Sequence, residues 1–186
     1  NYSKQYPFIR LLNNEKRIVP VAMNIGIKAS IGDIVMRLDA HAQYPPNYFS
    51  VLVKELVRLR ADNVGVACKT DVLNKTSKTL AIREVLSNRF GVGNSTFRLG
   101  VDKVIEVDTV PFGCWKKDVF NKYGFYDERL IRNQDIELNK RIVRGGGHIF
   151  IVPDTYCTYL ARETFDGLAK NNFGNGKWNI CLLYTS

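Results

Sequence analysis

Between Ile34 and Ala67 the sequence passes through an apolar segment, an amphipathic segment and a second apolar segment, and this order constrains the fold more than any other feature. Ile34-Val35-Met36-Arg37-Leu38 holds four apolar residues in five and is entered through Gly32-Asp33, as a buried strand would be. Tyr44-Pro45-Pro46 breaks the chain. Phe49, Leu52, Val53, Leu56 and Val57 then follow the i, i+3, i+4, i+7, i+8 spacing of a helix, with Lys54, Glu55 and Arg58 on the opposite face. Val64–Ala67 is the following strand. Upstream, Phe8–Leu12 reads as a strand and Val21–Ser30 as a helix, with Pro20 in its first turn, where a missing amide hydrogen costs nothing. Strand, helix, strand, helix, strand predicts an α/β fold, a mostly parallel sheet flanked by helices.

The second half is less regular. Thr79–Asn88 is predicted as a helix, and Phe90–Phe97 as a glycine-rich loop or flap. Gly91-x-Gly93 has neither the third glycine nor the Gly-Lys-Ser/Thr ending of a phosphate loop. Val104–Val110 is a strand broken by Pro111-Phe112-Gly113, and Lys116–Tyr123 a short helix ending at Gly124. Asn133 is expected to cap a helix over Gln134–Arg144, which Gly145-Gly146-Gly147 terminates. Strands over His148–Val152 and Thr155–Leu160 and a helix over Glu163–Asn172 complete the chain, with an apolar stretch starting near Ile180.

The 186 residues fit one domain, and 45% hydrophobic with 24% charged residues is a globular composition that excludes disorder. The net charge of +9, from 27 Lys and Arg against 18 Asp and Glu, predicts an anionic partner. The cations are spread without a long run, which weakens a nucleic-acid reading. Cys68, Cys114, Cys157 and Cys181 form no Cys-x-x-Cys pair, so neither a zinc module nor a disulfide framework is indicated; reduced thiols in a cytosolic domain are expected.

Asp39 and His41 stand where the first apolar run ends, and the carboxyl ends of strands open into the ligand crevice of α/β sheets. In extended backbone Arg37, Asp39 and His41 share a face, giving a cation, an anion and a metal-capable imidazole side by side. The motif is short, and a turn aspartate beside a surface histidine would give the same pattern. Asp135 and Glu137 fall in the first turn of the Asn133 helix, where the dipole alone favours acids. The functional alternative is that Asp135 is a general base aimed at an acceptor hydroxyl.

These residues resemble a known family. The segment from Gly32 to Pro46 is similar to the surroundings of the Asp-x-Asp motif of family 2 inverting glycosyltransferases, within them the succinoglycan type of bacterial exopolysaccharide enzyme. Val107–Gly113 and Arg132–Asn139 resemble the same group in the same order. The resemblance implies a GT-A fold, a nucleotide-sugar donor and a divalent metal, with Asp39 and His41 as metal ligands, Asp39 also at the donor, and Asp135 as catalytic base. An imidazole in place of the second carboxylate favours Mn over Mg. Gln134 stands where the family more often has Glu, and Lys177-Trp178 where processive relatives carry Arg-Trp; Gln134, Trp178 and Lys177 are the candidate acceptor-binding residues. Arg37 and Arg17 are candidate donor-binding cations, and Lys177 is a further candidate for the phosphates, each with a structural role as its alternative.

The family's first strand–helix–strand unit, which holds the nucleotide base, has no counterpart here, so residues 1–186 are expected to be one partial catalytic domain. Residues 1–100 would belong to the nucleotide-sugar half and 101–186 to the acceptor half. The expected partners are a nucleotide-sugar, a saccharide or lipid-linked saccharide acceptor and an anionic membrane surface, at the cytoplasmic face of a bacterial plasma membrane, and not nucleic acid. A non-catalytic nucleotide- or polyanion-binding module, a degenerate transferase or a basic nucleic-acid binder, is the alternative.

Overall fold

The computed structural model describes residues 2–93 and 95–185; of residues 181–185 only the backbone enters the description. The described residues form a six-stranded sheet in the order β1-β5-β3-β6-β2, with β4 pairing on β6. Its strands are β1 (Ile34–Met36), β2 (Ala42–Gln43), β3 (Asn63–Asp71), β4 (Ile105–Glu106), β5 (Cys114–Lys116) and β6 (Ile149–Leu160). The long β3 and β6 pair in parallel, and β1 runs the same way because β5 opposes both β1 and β3. The short β2, β4 and β5 run against them, so the sheet is mixed.

Helices cover both faces. On one, Tyr48, Leu52 and Leu56 of α3 (Tyr48–Arg58) pack on Val64, Val66 and Cys68 of β3 and on Val152 and Cys157 of β6. On the other, Ile27 of α2 (Val19–Ala29), Val119 and Phe120 of α7 (Asp118–Tyr123) and Leu138 and Ile142 of α8 (Gln134–Arg144) pack on Trp115, Ile149 and Ile151. Alternation along β3 sends Val64, Val66 and Cys68 to the first layer. The intervening Gly65 admits Val110, whose Cβ would lie 2.4 Å from any added Cβ. Cys68, Cys114 and Cys157 are buried free thiols.

Several elements depart from the sequence reading. Phe8–Leu12 is not a strand: the segment follows a single helical turn, α1 (Tyr2–Gln5), and Phe8 and Leu11 are 81% and 83% exposed. No described strand lies beside it, and an apolar run without a pairing edge has no means of satisfying its backbone as sheet. The buried stripe of α3 is Tyr48, Leu52 and Leu56, not the stripe through Phe49, Val53 and Val57, which is solvent-facing. Glu55 is buried there because Arg58 neutralises it. The two strands expected in 148–160 are one strand, with its register shifted so that Val66 faces Val152 but Ala67 faces Tyr156. Pro153, which has no amide hydrogen, falls in the bulge. The glycine-rich loop carries two single turns, α5 (Arg89–Val92) and α6 (Thr96–Leu99), after α4 (Ser77–Ser87). The final helix, α9 (Phe165–Thr185), runs through three glycines and far past Asn172. No helix among the described residues is long and apolar enough to cross a membrane.

Candidate active site

Where β1 ends, the backbone is pinned from two sides. The Arg37 amide donates to the Gly113 carbonyl at 3.1 Å, extending the β1–β5 ladder by one residue. The Asp39 amide donates to the Tyr44 hydroxyl at 2.8 Å, which fixes the turn that carries the carboxylate. Tyr44 is in turn held by its ring contact with Tyr48, 4.7 Å between centroids.

From this end the Arg37 guanidinium bridges two carboxylates, Asp39 two residues on and Asp135 98 residues on in sequence. Its Nε and Nη2 donate to the two oxygens of Asp39 at 2.7 and 2.9 Å. Its Nη1 donates to both oxygens of Asp135, at 2.6 and 2.8 Å. The arginine side chain is 9% exposed, against 19% for Asp39 and 29% for Asp135. Burial works against the charge on Arg37, yet the two carboxylates outweigh it and hold the guanidinium above its ordinary pKa. Burial likewise pushes Asp135 above the usual carboxylate range, with Arg37 opposing. The Tyr126 hydroxyl, 3% exposed at residue level and without a hydrogen-bond partner, interacts with both Asp135 and Arg37, and burial holds it well above its ordinary pKa.

Asp135 is presented by an α8 anchored along its length. Asn139 accepts from Asn63 of β3 at 2.9 Å and donates to the Thr109 hydroxyl at 3.0 Å and to the Val110 carbonyl at 3.3 Å. Glu137 accepts from Arg141, which also donates to the carbonyls of Tyr123 and Phe125. The segments Val107–Gly113 and Arg132–Asn139 thus meet through the buried Asn139 carboxamide, which also pairs with Asn63 of β3. Gly113 leaves room for it, since an added Cβ would sit 2.4 Å from Asn63 Oδ1.

Asn133 occupies the N-cap position of α8 with φ 58°, the left-handed conformation asparagine tolerates, but makes no side-chain cap. The capping expectation is corrected here: its amide donates instead to the Asn175 carbonyl at 3.0 Å and to Asn179 Oδ1 at 2.7 Å, tying α8 to α9. Arg132 donates to Asn171 and Asn175 at 3.0 and 2.9 Å in the same seam.

The structure therefore brings Arg37, Asp39 and Asp135 into one cluster and hangs α9, with Lys177 and Trp178, on α8, the helix that carries Asp135. Lys177 is exposed and Trp178 half-buried, while Gln134 is buried at 7% exposure. Arg17 is exposed in a turn closed by its own amide on Asn14, and does not join the cluster through any described hydrogen bond or ion pair. His41 is exposed in the turn before β2, its ring edge on Tyr159 at 5.5 Å. Asp39 and His41 supply two donors, and among the described residues no group of three or more His, Cys, Asp or Glu is assembled. Such a pair fits an ion that draws its other ligands from a substrate's phosphates and water. Sequence reasoning missed Tyr44 and Tyr126; the tyrosine immediately before two prolines marks a rigid turn, but nothing local signals that its hydroxyl reaches back five residues.

Comparisons with known proteins give the family and the fold. The chain is 30% identical over 183 residues to the succinoglycan biosynthesis protein ExoA of Rhizobium meliloti (strain 1021), covering 92% of this chain and 52% of that protein. It is 23% identical over 171 residues to the dolichyl N-acetyl-alpha-D-glucosaminyl phosphate 3-beta-D-2,3-diacetamido-2,3-dideoxy-beta-D-glucuronosyltransferase of Methanococcus voltae, 90% of this chain and 53% of that one. The chain thus spans about half the length of these relatives. Among solved structures it superposes on GalNAc-T7 with UDP, GalNAc and Mn2+ (TM-score 0.58, 17% identity, 82% of this chain and 32% of that one). It also superposes on S. aureus TarS 1-349 with UDP-GlcNAc (TM-score 0.51, 12% identity, 76% and 38%). At such identities the likeness is one of fold, GT-A. Residues 1–124 match the model described as Glycosyl transferase family 2, and with two thirds of its length inside that match the chain belongs to glycosyltransferase family 2.

Proposed function

We propose that the protein carries out a single-displacement, inverting transfer of a sugar from a nucleotide-sugar to a saccharide acceptor in cell-surface polysaccharide synthesis. The observation that carries this reading is the Arg37 bridge, which holds the carboxylate at the end of β1 and the carboxylate at the start of α8 on one guanidinium. Donor pole and base are thereby kept at a fixed spacing, as an in-line displacement needs. Asp39 and His41 would hold a divalent metal, Mn rather than Mg on the imidazole donor, and such an ion offsets charge developing on the departing diphosphate. Asp135 accepts the proton of the attacking hydroxyl as its oxygen bonds to the anomeric carbon and the bond to the nucleoside diphosphate breaks. A base pushed up by burial is stronger than a surface aspartate, and Arg37 opposes that rise by favouring the ionised form. With all three of its nitrogens bonded to Asp39 or Asp135, the Arg37 guanidinium acts first as a strut between the carboxylates, and one Nη2 hydrogen is left for a donor phosphate.

The half over 1–100 is assigned to the donor and the half over 101–186 to the acceptor, with Gln134, Lys177 and Trp178 at or behind the acceptor. Gln134, being buried, would act through the base helix; Trp178 would offer its indole to a sugar face. The net charge of +9 suits a lipid-linked acceptor at the anionic cytoplasmic face of a bacterial plasma membrane. The test is a transfer assay on the full-length protein with a panel of nucleotide-sugars and lipid-linked acceptors, reading the product anomer by NMR. Transfer with inversion supports the reading. Retention of configuration, or transfer undiminished in Asp135→Asn, refutes it.

A further inference from the structure

Between the α5–α6 segment and α9 lies a cleft of about 440 Å³, and its lining is unlike that of the bridged carboxylate cluster. Arg98, Arg162, Asn171, Asn172, Asn175 and Asn179 line it, and no described acidic residue does. Neither arginine is ion-paired among the described residues. Arg98 lies over the rings of Phe97 and Tyr159, 5.5 Å from each centroid, with a long bond of 3.4 Å to Thr70. Arg162 donates to Asn171 at 3.3 Å.

The carboxamides add to the asymmetry. A guanidinium only donates, so Asn171 and Asn175 must turn their oxygens to Arg132. Asn133 must donate to the Asn175 carbonyl, so its amide nitrogen also fixes the Asn179 oxygen toward itself. Three acceptor oxygens on one stripe of α9 are thereby consumed, and their amide hydrogens have no described partner. The two guanidinium groups, unpaired among the described residues, and these amide hydrogens make the wall rich in donors, complementary to an acidic group carrying further oxygens.

Its location ties it to the candidate site. Asn175 and Asn179 bond the residue two positions before Asp135, and Tyr159 packs on His41. We infer that this cleft binds an acidic saccharide, with Arg98 and Arg162 on its negative group and the carboxamides of α9 on its hydroxyls. Assigning that saccharide to the acceptor rests on the transferase reading above. Phosphate and carboxylate share the chemistry, and separate probes distinguish them.

The experiment is calorimetry on the full-length protein with Mn and whichever of UDP or GDP binds held at saturation, titrating glucose 1-phosphate, glucuronate or glucose. At least one acidic sugar is expected to bind more tightly than glucose, and Arg98→Gln and Arg162→Gln each to weaken it about tenfold or more while leaving nucleotide binding unchanged. Arg162 is exposed, so its variant folds independently of any effect at Arg98. Preference for glucose 1-phosphate assigns a phosphate-bearing sugar, and preference for glucuronate a uronate. Acidic sugars binding no better than glucose, binding untouched by both variants, or displacement by saturating nucleotide overturns the inference. If no nucleotide binds but the acidic sugar still depends on both arginines, the cleft stands and the transferase reading fails.

Discussion

Arg37 and the pair Arg98 and Arg162 are the same side chain in opposite situations. Arg37 is nearly buried and spends its donors on two carboxylates, whereas the other two line an open cleft and meet no described carboxylate. The first arrangement fixes geometry, because removing a member leaves a buried charge uncompensated. The second leaves charge available to a ligand, because nothing in the fold has claimed it. A count of basic residues treats all three alike, and the surplus of +9 says nothing about which of them a substrate can use.

The largest effect that would sharpen this contrast is at the base. Asp135→Asn is expected to lower transfer by about 10²–10⁴-fold with nucleotide affinity retained, measured as kcat and KM on the full-length protein. On the proposed mechanism the wild-type reaction needs the ionised Asp135 carboxylate, and burial raises its pKa. The rate therefore falls as pH drops through a value above the ordinary aspartate pKa of about 4, and an acid limb at or below that value would contradict the environment described. Next comes Arg37→Met, which strands two carboxylates and is expected to cost about 3–5 kcal/mol in urea unfolding. A loss under about 1 kcal/mol would break the comparison at its root, since a surface pair loses no more. Tyr44→Phe removes the hydroxyl that accepts from the Asp39 amide and is expected to cost about 1 kcal/mol, with a raised KM for the donor. Smallest is Arg162→Gln, within about 0.5 kcal/mol of wild-type stability. Destabilisation comparable to Arg37→Met would mean that the cleft arginines are structural after all.

The same division between committed and uncommitted groups decides what could be read from sequence. Val64–Ala67, Gln134–Arg144 and the helix ending at Gly124 were legible because local patterning and tertiary burial agree there. Phe8–Leu12 has strand-like patterning but no described neighbour to pair with, and strands depend on partners that a local window does not contain. On α3 the periodicity was right and Leu52 and Leu56 do face the sheet, but Phe49, Val53 and Val57, as apolar as these, face solvent, and Tyr48 takes the remaining inner position. Asp39, His41 and Asp135 stood out by motif, but the bridge between the two aspartates needs an arginine whose two partners are far apart in sequence. The asparagines of α9 carried no signal at all: their meaning comes from Arg132 and Asn133 turning their oxygens inward.

The central claim is that the end of β1 is the metal and nucleotide pole of the site, and His41 gives the cleanest access to it because it is exposed and outside the Arg37 bridge. Calorimetry of UDP and GDP with and without Mn, on the full-length protein, on His41→Ala and on Asp39→Ala, tests it most directly. The account predicts nucleotide binding that requires Mn and is lost or strongly weakened in both variants while the circular dichroism of His41→Ala stays that of the wild type. Nucleotide binding indifferent to Mn and to both substitutions would contradict it.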